Sequence, residues 1–271
     1  MIVGSRALPP RPRDLDQDLA QRVSDVITGY FRPRTLDEAL ALAARADAVV
    51  LGGGTAVNAH PGRPPVVAVD LQALDLDGIY VDAGRLRLGA TARLQDLVDS
   101  DLVPEVLREL ARLEAPGTIR NAATVGGTVG TADPESPLLT GLLAYGAEIG
   151  VARIGSMAEL PLDVILDDRH LLDGSIITSV TVPMGRRAAV HGTARTPMDA
   201  PIVLAVACRD TDGTVRTAVS GVASRPVLVD PQQLGELDPP GDFRGSSSYR
   251  AHLAAVLVSR ALAGLGGSEP A

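Results

Sequence analysis

The stretch Ile119-Arg120-Asn121-Ala122-Ala123-Thr124-Val125-Gly126-Gly127-Thr128, continued by Val129-Gly130-Thr131-Ala132-Asp133-Pro134, decides how this chain is read. It holds three glycines, three threonines and no aromatic side chain. The segment 115–127 has few bulky side chains and reads as a loop. Glycine permits positive φ and close backbone approach. Such a loop can wrap a diphosphate and a polyol chain with N–H and hydroxyl donors. A small-residue segment packed tightly beneath another element has the same composition, so both readings stay open here.

A second glycine run lies upstream. The apolar strand Ala48-Val49-Val50-Leu51 ends in Gly52-Gly53-Gly54-Thr55. A tight turn there can point backbone N–H groups at an anion, with the Thr55 hydroxyl beside them. An ordinary flexible turn is the plainer alternative. The run is neither a dinucleotide fingerprint nor a P-loop, because no Gly-x-Gly-x-x-Gly follows a strand and no Gly-Lys occurs.

Composition excludes several chemistries. The 25 basic residues are all arginine, against 33 acidic ones, for a net charge of −8. Without lysine there is no pyridoxal Schiff base and no P-loop lysine. The acidic balance and the 2% aromatic content disfavour nucleic acid and an anionic membrane as partners. The single cysteine, Cys208, cannot furnish an iron–sulfur or four-cysteine zinc ligand set. His60, His170, His191 and His252 are scattered, so no metal site is expected. No apolar run reaches the ~20 residues of a membrane span, and Met1 to Arg13 lacks a signal-peptide core, so a cytoplasmic protein is expected.

Around the glycine runs the elements alternate. Asp14 to Ile27 can form a short amphipathic helix behind an irregular Pro-rich arm. Thr35 and Glu38 form a capping box for a helix reaching Arg45. Val66 to Leu71 is a strand, and Ile79 to Ala90 a hairpin turning at Ala83-Gly84 with Leu86 and Leu88 inward. Helices follow at Leu94–Ser100, Val103–Glu114 and Pro137–Tyr145, and strands at Glu148–Arg153 and Ile176–Val182. After a composition shift at 183–187, Ile202–Arg209 and Val215–Val222 pair around Asp212-Gly213. Ser247 or Ser248 caps a last helix through Leu262.

Set in this order, the motifs resemble a known family. Ile119-Arg120-Asn121-x-Ala123-Thr124-Val125-Gly126-Gly127 with Asp133-Pro134 is similar to the signature of the FAD-binding medium subunit of molybdenum hydroxylases, such as carbon monoxide and xanthine dehydrogenases. Gly53-Gly54-Thr55 after its strand, with the helix start at Arg34 to Leu40, looks like that family's first pyrophosphate loop. Gly245-Ser246-x-x-Tyr249-Arg250-x-x-Leu253 is similar to its C-terminal helix. The matches run colinearly from about residue 31 to 262.

The resemblance implies an α+β chain. It would have a PCMH-type (vanillyl-alcohol oxidase-like) FAD-binding fold of two α/β subdomains, about 29–78 and 79–183. A small α+β C-terminal domain would cover 184–265, with 1–28 as an N-terminal extension. FAD would lie between the first loop (Val50, Leu51, Gly52, Gly53, Gly54, Thr55, Ala56, Val57) and the second (Thr124, Val125, Gly126, Gly127, Thr128). Asp133 would stand near the ribityl chain, and Ile176 and Ile177 near the flavin ring. Iron–sulfur and molybdopterin centres would sit on a small and a large partner subunit, and this chain would relay electrons to an acceptor. No catalytic acid or base is assigned.

Several positions depart from the family, Thr128, Pro137 and Ala56 after Thr55 among them. Thr128 stands where Asn or Ser is common, and Pro137 where an Asp commonly holds the ribityl chain. A lost or weakened flavin site is therefore the competing expectation. The chain would then be a scaffold that self-associates, or an old cleft recruited for a non-redox reaction on a small organic substrate. Arg120, Asp133, Glu135, His170 and His191 are the polar groups to examine in that case.

Overall fold

The computed structural model describes residues 27–56, 66–196 and 199–266. The helix expected over 14–27 and the candidate Val57 fall outside these residues. Ile27 is the exception, and it opens a strand instead.

The first layer is β1 (Ile27–Phe31), α1 (Leu36–Ala43), β2 (Ala48–Leu51) and β3 (Val66–Asp70). The strands are parallel, in the order β1-β3-β2. β1 went unread because it lies at the sheet edge and alternates too weakly, with Tyr30 58% exposed. The Glu38 amide donates to Thr35 Oγ1 at 3.3 Å, as the capping box requires. The Glu38 carboxylate accepts from the Arg34 amide at 3.2 Å, one residue earlier than the standard box.

The middle layer is a five-stranded antiparallel sheet, β4 (Ile79–Asp82), β5 (Arg85–Gly89), β6 (Glu148–Arg153), β7 (Ser156–Pro161) and β8 (Ile176–Pro183), in the order β4-β5-β8-β6-β7. Ala83 and Gly84 both take positive φ at the first hairpin, as a two-residue turn demands. Helices α2 (Leu94–Asp99), α3 (Glu105–Glu114), α4 (Gly117–Arg120), α5 (Val125–Thr131) and α6 (Pro137–Ala144) lie between β5 and β6, and α7 (Leu162–Asp167) follows β7. The expected loop over 115–127 is thus corrected. It contains a short helix and the capped start of α5, because the Thr124 side chain accepts from Gly127 N at 3.2 Å. Strand β7 escaped the sequence reading because it is an almost wholly exposed edge with no apolar face.

The last layer is β9 (Arg187–Thr193), β10 (Val203–Arg209), β11 (Val215–Ser220) and β12 (Val227–Leu228), ordered β12-β11-β10-β9, with α8 (Ser247–Gly264) packed on it. Ser246, rather than Ser247 or Ser248, caps α8, accepting from Tyr249 N at 3.2 Å.

Every residue of α6 is buried. Gly141 lets α3 cross it closely, since a Cβ there would overlap Leu110. The main core gathers Leu86, Leu107, Leu110, Leu138, Leu142 and Val180 with Leu204, Val206 and Cys208 of the last sheet. Among the described residues no helix is long and apolar enough to cross a membrane.

Candidate functional site

The two glycine runs meet. A Cβ on Gly52 would overlap Thr124 Oγ1, and one on Gly53 would overlap the Ala122 carbonyl oxygen. Only glycine allows the turn after β2 to lie this close to the segment that starts α5. Val50 and Leu51 lead in from β2, half-buried, and Gln72 Nε2 donates to Gly52 O at 3.2 Å. Gly54 takes φ +72°. Among the described residues the backbone N–H groups of Gly53, Gly54 and Thr55 have no hydrogen-bond partner. Thr55 and Ala56 are half-buried beside them. Three successive donors left without a partner among the described residues, around a left-handed residue, form a concavity suited to an anionic oxygen.

The second run does not supply the donors expected of it. Val125 N donates to Ala92 O at 3.0 Å, and Gly126 N to Ala90 O at 2.8 Å. Gly127 N is taken by the Thr124 hydroxyl, and Thr128 Oγ1 donates back to Thr124 O at 3.3 Å. The amides of Val125, Gly126 and Gly127 are therefore consumed inside the fold. Val125 is fully buried. This segment is a wall for the glycine turn, which was the tight-packing alternative. Past it, a Cβ on Gly130 would meet nothing within 4 Å, so that face of α5 is open. Arg169, which the sequence reading missed, donates to Val129 O at 3.0 Å and Gly130 O at 2.6 Å, matching a cation to the C-terminal end of α5.

Beyond α5 the chain turns through Ala132, a non-glycine residue at φ +50°. Asp133 is exposed and accepts Glu135 N at 2.8 Å with one carboxylate oxygen. Glu135 is not available to a ligand, because it is taken up by ion pairs to Arg244 and Arg250. Pro137 is the first residue of α6, where its missing N–H costs nothing. Glu114 occupies this helix start, accepting from Leu138 N at 2.9 Å and from the Ser136 hydroxyl at 2.8 Å. Burial pushes its carboxyl up to about 7, against the lowering pull of those two donors.

Ile176 and Ile177 do not act as a pair. Ile176 is 1% exposed, packed with Ala39, Leu40 and Val69 between the first two layers. Adjacent strand residues point to opposite faces, so Ile177 packs instead on the main core and keeps a partly open side. Ile176 is interlayer core in this structure, and Ile177 has the more open side of the two. Arg120 is structural, donating to Gln95 Oε1 and to the carbonyls of Arg112 and Ala115. His170 pairs with Asp173 at the surface, and His191 is an exposed residue of β9. Among the described residues no cluster could hold a metal ion. A cleft of about 230 Å³ is lined by Ala144, Arg186, Cys208, Asp210, Thr214 and Arg216. It lies away from the glycine turn and shares no residue with it.

Comparison with known proteins places this chain in a family. Residues 23–185 match the family described as the FAD binding domain in molybdopterin dehydrogenase. The protein YgfM of Escherichia coli K12 is 32% identical over 256 residues, covering 86% of this chain and 95% of that one. The glyceraldehyde dehydrogenase medium chain of Sulfolobus acidocaldarius is 24% identical over 269 residues, covering 86% and 96%. A solved carbon monoxide dehydrogenase from Hydrogenophaga pseudoflava superposes with a TM-score of 0.80 at 23% identity, over 87% of this chain and 96% of that one. The layered α+β fold is shared with that structure. With the family's match covering the first two layers and both glycine runs, this chain belongs to the FAD-binding domain family of molybdopterin dehydrogenases.

Proposed function

We propose that this chain binds FAD and is the flavin-bearing medium subunit of a molybdenum hydroxylase-type oxidoreductase. It would relay electrons from iron–sulfur centres to an acceptor. One observation carries the reading: the amides of Gly53, Gly54 and Thr55, without a hydrogen-bond partner among the described residues, on a turn pressed against Ala122 and Thr124. These donors suit the diphosphate, with the Thr55 hydroxyl beside them. Asp133 and the open side of Ile177 are the groups left for the ribityl chain and ring. FAD, once bound, supplies the electron-transfer chemistry, and the protein positions it. One cysteine cannot ligate a cluster, so on this reading the iron–sulfur centres sit on a small partner subunit, with the molybdopterin on a large one, in the cytoplasm.

A second reading rests on Pro137 and on the consumed amides of Val125, Gly126 and Gly127. On it the flavin contacts are too few, and the chain is a scaffold or holds another small organic molecule. Titration with FAD, followed by flavin fluorescence and the visible spectrum, separates the two. Stoichiometric uptake supports the first reading. No uptake at high FAD, by the chain alone and with its partner subunits, overturns it.

A further inference from the structure

Arg250 is charged, 2% exposed and far in sequence from most of what it holds. Its Nη1 donates to Gly221 O at 2.8 Å and Ile202 O at 3.0 Å, which fixes it to the backbone of the last sheet. Its Nη2 donates to Asp242 at 2.7 Å. The same guanidinium reaches Glu135 Oε1 at 3.2 and 3.3 Å, while Arg244 takes Glu135 Oε2. Gly221 N also donates to Pro134 O at 3.0 Å. The turn between α5 and α6 is thus bolted to the C-terminal layer at two consecutive residues. The Glu135 amide in turn holds one oxygen of Asp133. Ala132, at positive φ, is a costly conformation that persists only where its surroundings fix it.

We infer that Glu135 is a positioning residue. Clamped by Arg244 and Arg250, it sets the Asp133 carboxylate relative to the glycine turn, so the C-terminal layer completes the cofactor site. This rests on the flavin reading for its ligand, but not for its geometry. A carboxylate between two guanidinium groups loses its charge-assisted bonds when neutralised. The α5 helix spans about 10 Å, so slack in this turn is felt at one end of the site and not at the other.

The test compares the wild-type chain with Glu135→Gln, Glu135→Asp and the surface control Glu159→Gln. Hydrogen exchange of the FAD-free chain is read at the Glu135 and Ser136 amides, and FAD affinity and the shape of the bound flavin's visible band are read by titration. Glu135→Gln is expected to speed exchange at those amides at least tenfold, weaken FAD at least tenfold and alter the flavin band, with β10 amides unchanged. Glu135→Asp restores part of each loss, and Glu159→Gln changes none. Unchanged exchange and band shape in Glu135→Gln overturn the inference, as does equal loosening of β10, which would mean general destabilisation. If the wild-type chain takes up no FAD, the flavin reading fails by itself, and exchange alone then decides the positioning.

Discussion

Gly53 and Ala122 touch backbone to backbone, so no side chain fits between the two glycine runs at that point. The contact is against a carbonyl group, which cannot rotate away as a flexible side chain could. Gly53→Ala is therefore expected to lose about 1–3 kcal/mol of stability, the usual cost of overpacking. It should also weaken FAD at least tenfold. Gly130→Ala is the counterpart: its Cβ enters open space within α5, and alanine favours helix over glycine by about 1 kcal/mol. Urea melts of the two variants should move in opposite directions; a shift in the same direction would contradict the packing described.

Thr124→Val keeps the shape of a buried side chain but removes the cap on Gly127. A loss of about 1–2 kcal/mol is expected, as for other cap deletions. Amide exchange at Gly127 should rise more than at Gly126, whose partner is the Ala90 carbonyl.

Glu114 makes stability depend on pH. Its carboxyl titrates near 7 in the folded chain and from 4.5 when free, so between those values the folded state holds more protons than the unfolded one. Its contribution is fully present below 4.5 and is lost as pH rises to 7. Glu114→Gln can still accept from Leu138 N and carries no charge. Its stability relative to wild type should therefore rise between pH 5 and pH 8, by up to about 3 kcal/mol at 1.36 kcal/mol per pKa unit. Part of Glu114 remains in contact with solvent, which makes that figure an upper bound. A constant difference across chemical melts at the two pH values would refute the assignment.

Cys208 is 2% exposed and its thiol is pushed up to about 12, chiefly by burial. Thiolate is the reactive form, so an aromatic disulfide reagent should label the native chain only as fast as it opens. Labelling should become immediate in denaturant. Rapid labelling under native conditions would mean that the reagent reaches the thiol without unfolding, through the cleft that Cys208 lines.

Local signals were legible and distant partners were not. Thr35 with Glu38, the Ala83-Gly84 turn and the Asp212-Gly213 hairpin each depend on residues a few positions apart, and the sequence carries them openly. The meeting of Gly53 with Ala122 was not legible, since no spacing rule joins residues in different layers, and the resemblance gave only the order of the two loops. What stayed hidden is the fate of the α5 amides. They are consumed by Ala90 and Ala92, two small residues whose carbonyls carry no side-chain signature. Glu135 could be named as a polar group to test, but its arginines lie 109 and 115 positions away, so its structural role was invisible. Ile176 and Ile177 come together only through the resemblance, and strand geometry sends such neighbours to opposite faces.

The buried helix α6 has a consequence for cooperativity. The same leucines that close the middle layer, Leu138 and Leu142, share one core with Leu204 and Val206 of the last sheet. The change of composition near residue 183 therefore does not divide this core into two halves that could melt separately. A chain cut there would expose one side of α6 to water and leave Glu135 without its arginines. Heat should unfold the second and third layers in one transition, so that losing the C-terminal sheet and losing the glycine-turn wall are a single thermodynamic event.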